Sequence, residues 1–82
     1  MDITRANQVT SEVDKTVEDL FTYHPWGPDQ TQHGNAIRDA LAKAVRVIIE
    51  HAPPSPDRSV AIRKLREARM DANSAITHSG KY

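Results

Sequence analysis

Three of the chain's four aromatic residues fall within "FTYHPWGPDQ", residues 21–30, together with two of its five prolines. Tyr23, His24 and Trp26 offer flat faces on which a planar ring can stack. Arg38, a little further along, offers a forked cation that suits a phosphate. Aromatic surface plus arginine is the chemistry of nucleotide capture. The same residues also permit a plainer reading, in which Phe21 and Tyr23 cover helix ends and Trp26 closes a loop. Residue types alone leave both open.

A second cationic feature is "RKLREAR", where Arg63, Arg66 and Arg69 recur every third residue and so wind slowly along one helix face. It reads either as a phosphate-binding stripe or as a solvated face with Glu67 and Asp71 as helix neighbours, and base rates and the balanced charge favour the latter. Catalytic chemistry is poorly represented. The spacing of His24, His33, His51 and His78 matches no usual metal-ligand motif, no glycine-rich phosphate loop is present, and no nucleophile sits beside a base. The expectation is a binding protein, not an enzyme, with no cofactor and no metal.

These residues must be held by helices. Ile3, Ala6, Val9, Val13, Val17 and Leu20 recur at three- and four-residue spacing, which predicts a first helix ending near His24-Pro25, because the residue before proline is driven out of the α region. "GPDQ" restarts a helix, with Asp29 as the expected cap, and Ile37, Leu41, Ala44, Val45, Ile48 and Ile49 form its apolar face. "APPSPDRS" is the second corner: Pro53 and Pro54 stop the helix, and Ser55-Pro56 reads as a cap followed by proline at the first helical position. Ala61, Leu65, Ala68, Ala72 and Ala75 line the third helix, where small side chains permit close approach. Gly80 reads as its terminator. The fold class is all-α, a single domain over 1–82 in which an N-terminal helix (1–22) precedes an antiparallel helical hairpin (23–82).

The totals add a constraint. Eighty-two residues bury only about 60% of their unfolded surface, and the absence of cysteine removes the disulfide remedy. Association with further copies is the remaining common solution. Eleven basic residues balance eleven acidic ones, so no large positive field is available for general nucleic-acid or membrane binding. No run of about 18 apolar residues occurs, and the expected location is the cytoplasm.

"FTYHP", "AIRDALAKAV" and "PPSPDRSVAIRKLREARMDANSAI" together resemble the phage cyclic-nucleotide sponges that counter CBASS immunity, a family that shares its helical hairpin domain with one class of Thoeris anti-defence sponges. The resemblance spans residues 21–78. It implies a compact homo-oligomer, a homohexamer, that sequesters second messengers in the infected host cell without cleaving them. The implied partners are cyclic dinucleotides such as cyclic GMP-AMP, with cyclic trinucleotides or cyclic ADP-ribose isomers as further candidates and no membrane. It places Tyr23 on a base and Arg38 on a phosphate between paired subunits, and puts His78 where many relatives carry an arginine that meets trinucleotides. The candidate ligand set is Tyr23, His24, Pro25, Trp26, Arg38, Arg69, Asn73 and His78. The competing expectation is a small helical module that docks a protein or nucleic acid.

Overall fold

The computed structural model describes residues 3–82, with side chains from residue 11 onward. Among the described residues there are three helices and no strand: α1 (Ile3–Phe21), α2 (Pro28–His51) and α3 (Pro56–Thr77). Each boundary has a local cause. α1 stops before the His24-Pro25 step, as the proline requires. Ser55 caps α3, its hydroxyl accepting from the Arg58 amide at 3.1 Å, and Pro56 takes the first helical position. Arg58 then reaches back to the Ala52 carbonyl at 3.3 Å, fastening the tight corner between α2 and α3.

The start of α2 differs from expectation. Gly27 is the cap and Pro28 opens the helix, so Asp29 falls inside the first turn. There its charge suits the positive end of the helix dipole without acting as the cap. Gln30 does the closing: its side-chain oxygen accepts from the Gly27 amide at 3.1 Å, and its amide nitrogen donates to the Ile76 carbonyl at 3.2 Å. One glutamine thus caps its own helix and ties it to the end of α3.

α2 and α3 pack as the expected hairpin, and among the described residues they are the only two helices whose backbones approach each other. On α2 the sides of Ile37, Leu41, Ala44, Val45 and Ile48 are half-buried, whereas Ile49 is exposed. On α3 the covered positions are Ala61, Ile62, Leu65, Ala72, Asn73 and Ile76, while Ala68 and Ala75 face water. The expected alanine stripe is therefore only partly the packing face. Val13, Val17 and Leu20 of α1 are exposed as well, and the side chains of Ile3, Ala6 and Val9 lie outside the described residues.

The molecule measures 61 × 34 × 16 Å, with a radius of gyration of 18.8 Å. A compact chain of this length would give about 12 Å. Sixteen ångströms is little more than one helix diameter of about 10–12 Å, so the helices form a single layer. No described hydrophobic side chain is buried, and Gly34 is the one buried residue among those described. Domains ordinarily bury apolar faces between two layers, and one chain supplies only one.

Gly34 is buried by Trp26. A Cβ at that position would run into the six-membered part of the indole. The ring cannot simply swing aside, because its Nε1 donates to the Thr77 hydroxyl at 2.7 Å. Replacing a helical glycine by alanine ordinarily stabilises by about 1 kcal/mol. Here Gly34→Ala is expected to destabilise instead, by about 1–3 kcal/mol from overpacking, measured by thermal denaturation against wild type.

Candidate functional site

The link between α1 and α2, residues 22–27, has no regular secondary structure, and it is latched from two sides. Trp26 lies on Gly34 of α2 and bonds to Thr77 of α3, and His24 reaches back to α1. The His24 Nε2 stands 2.7 Å from the Asp19 carbonyl oxygen. A carbonyl only accepts, so that nitrogen carries the proton. With its neighbours fixed, Tyr23 is held on the link while the residue remains 84% exposed.

Tyr23 borders a cavity of about 450 Å³ that it shares with Leu20, Thr22, His24, Trp26, Thr77 and His78. Four expected site residues, Tyr23, His24, Trp26 and His78, thus meet in one place although His78 is far away in sequence. The His24 and His78 rings stand edge to face at 5.3 Å, and His78 and Tyr82 do so at 5.1 Å. Pro25, between His24 and Trp26 in the link, is exposed.

Arg38 is elsewhere. It borders a narrow apolar groove of about 150 Å³ in the hairpin, with Leu41, Ala42, Val45, Leu65, Arg66 and Arg69. Arg66 and Arg69 continue into an adjoining hollow of about 260 Å³ with Met70 and Asn73. Arg38, Arg69 and Asn73 therefore share one basic surface, to which Arg66 belongs. Among the described residues Arg63, Arg66 and Arg69 make no direct ion pair. The Arg38 guanidinium leans on its neighbour Asp39 through Nε at 3.3 Å and Nη2 at 3.2 Å. Half of the Arg38 side chain is exposed, and such surface pairs are weak enough to yield to a phosphate.

The aromatic cavity and the basic groove are separate on one chain.

Asp19 is the residue that sequence reasoning missed. It gathers the Tyr82 hydroxyl at 2.7 Å, the Lys81 ammonium at 3.3 Å and the His78 Nδ1 at 3.7 Å on one carboxylate oxygen, with His24 Nε2 at 3.7 Å from the other. A signal was present: a carboxylate in the last turn of a helix opposes the dipole, so it must be compensated elsewhere. After α3, Ser79 and Gly80 both adopt left-handed backbone, at φ 52° and 76°, and the Gly80 amide returns to the Ala75 carbonyl at 3.0 Å. That reversal carries Lys81 and Tyr82 across to α1.

The Tyr82 hydrogen bond holds the Asp19 carboxyl below the usual carboxylate range, with Lys81 and His78 adding to it against partial desolvation. The Asp19 hydrogen bond in turn raises both Lys81 and Tyr82. The depressed acid contributes fully above its unfolded pKa and loses its contribution as pH falls through its folded one. The raised ammonium and phenol contribute below their unfolded values and lose it as pH rises through their folded ones. The clamp is therefore complete from above the carboxylate range to below the ammonium and phenol range. Tyr82→Phe is expected to move the Asp19 titration midpoint back upward, followed by NMR of the carboxyl carbon.

Residues 14–77 match the family model described as "Acb2/Tad1, hairpin domain". No curated protein and no solved structure gives a significant match.

Proposed function

The chain belongs to the Acb2/Tad1 hairpin-domain family, the anti-CBASS and anti-Thoeris sponges, and on that premise we propose that it captures cyclic dinucleotides between paired copies of itself. The family's role is in general that of a cyclic-nucleotide sponge that binds its ligand and leaves it intact. The finer assignment rests on one observation. Tyr23 is kept almost wholly in water on a link latched to α1, α2 and α3, which is the state of a stacking ring before its base arrives.

Tyr23 stacks on the base and Arg38 of a second copy meets the phosphate. A cyclic dinucleotide has two bases and two phosphates, so a two-fold arrangement meets each half with the same pair of residues. His24 and Pro25 aim the ring. Trp26, engaged with Gly34 and Thr77, supports the wall. The basic surface of Arg66, Arg69 and Asn73 offers a second place for an anionic ligand, such as a cyclic trinucleotide or a cyclic ADP-ribose isomer. Near-zero net charge is compatible with this, because the cations are local and a closed site strengthens them. No helix among the described residues is long and apolar enough to cross a membrane, in keeping with action in the host cytoplasm.

The exposed Val13, Val17, Leu20, Phe21 and Met70 would equally suit a module that docks a foreign protein. Light scattering separates the two: the sponge is expected as a homohexamer of about 55 kDa, six chains of 9.2 kDa, and a stable monomer counts against it.

Each stack is worth about 1–3 kcal/mol, and a two-fold site loses two at once, so Tyr23→Ala is expected to weaken cyclic dinucleotide binding by about thirtyfold or more in titration calorimetry. Arg38→Ala should do likewise, with helicity and assembly unchanged. Ligand recovered after denaturing the complex should be chemically intact.

A further inference from the structure

The Asp19, His24 and His78 side chains converge from three separate parts of the chain: the last turn of α1, the link, and the residue capping α3. Their ligating atoms all lie within 4.8 Å of one another. Two imidazoles and one carboxylate form a donor set that binds divalent ions of the zinc type. The geometry points to a metal site here, built for a borderline transition ion such as Zn²⁺.

The distances fit. Around a tetrahedral zinc, ligands at about 2.0–2.1 Å from the ion stand about 3.4 Å from each other. Asp19 Oδ1 to His24 Nε2 and Asp19 Oδ2 to His78 Nδ1 are both 3.7 Å, on different oxygens of the carboxylate, and the three ligating atoms lie within 4.8 Å of one another, so the carboxylate must rotate and the widest edge must close by about an ångström. His78 is the anchor, with its side chain 8% exposed and fixed between the rings of His24 and Tyr82. Asp19 and His24 are about one-third exposed, which leaves an entry path. Three protein ligands leave a fourth position for water.

Lys81 and Tyr82 compete for the same site. Both bond to the Asp19 oxygen that faces His78, and the ammonium must leave when a dication enters. Its side chain is 64% exposed, so it can withdraw into water. His24 must exchange its bond to the Asp19 carbonyl for the ion, giving up the proton on Nε2. The site is therefore a weak, exchangeable one, and removing Lys81 strengthens it. A cluster that serves only as an internal hydrogen-bond clamp makes the opposite forecast, since there Lys81 is an asset and no ion enters.

The test is Zn²⁺ titration by calorimetry, with Co²⁺ followed by visible absorption to report coordination geometry. One equivalent of Zn²⁺ per chain and a tetrahedral Co²⁺ spectrum are expected. His78→Ala and Asp19→Asn should each lower Zn²⁺ affinity at least tenfold, with helicity monitored alongside. Lys81→Met should raise it severalfold, and His33→Ala and His51→Ala should leave it unchanged. Absence of saturable Zn²⁺ binding in the wild type would overturn the proposal. So would affinity that follows His33 or His51, or a Lys81→Met variant that binds no better. Should His78→Ala lose helicity, the Lys81→Met and Asp19→Asn pair decides the matter. Nothing in this proposal depends on the nucleotide reading, and neither Tyr23→Ala nor Arg38→Ala touches a ligand to the ion.

Discussion

The indole of Trp26 lies against the bare backbone of Gly34 while its nitrogen bonds to Thr77, and this joint determines where everything else in the corner goes. It brings the link, the first turns of α2 and the end of α3 to one point. Gln30 doubles the connection through Ile76. Without a wedge there, the link would be a free tether and Tyr23 would have no fixed direction. A tryptophan is well suited to such a role, since it fills volume at one end and makes a directional bond at the other.

The joint matters more because there is so little else. A single layer of helices leaves half-covered aliphatic side chains along α2 and α3 and uncovered ones along α1. Apolar surface of that kind gains its stability only when water is removed from it. What remains inside one chain is mostly directional: caps at Gly27 and Ser55, the Arg58 tie, the Asp19 clamp. Such bonds give net energies near 1 kcal/mol each, but they fix geometry sharply. The chain is thus shaped by polar contacts and still has its hydrophobic stabilisation to collect.

Periodicity and punctuation made the helices legible. Proline steps marked the end of α1 and both sides of the α2–α3 corner, because proline acts within a residue or two of itself. The hairpin followed from the short link. The α2 cap was misread because Asp29 is the better capping residue in isolation, whereas Pro28 at the first helical position displaces the boundary onto Gly27. The alanine stripe is the packing face only in part, because small residues favour close packing without choosing which side is packed: Ala61, Leu65 and Ala72 are covered, while Ile62 and Ile76 are covered in place of Ala68 and Ala75. In the site, the aromatic and arginine types were visible, and family likeness singled out His78. The meeting of Asp19 with His24 and His78 was not, since the three stand on the last turn of α1, the link and the cap of α3, which only the tertiary fold brings together. Ligand spacing along a sequence reveals a site only when the ligands share one element.

The wedge also links two positions in heredity. So long as Trp26 is present, a side chain at position 34 is a burden, and so long as Gly34 is bare, losing Trp26 leaves a hollow and an unmet Thr77 hydroxyl. Neither can drift alone without a less fit intermediate, so lineages should exchange both or neither. The corner that aims Tyr23 is therefore locked together even where the ligand exerts no selection on it directly, and variation in what the protein binds would have to enter through the exposed residues around it.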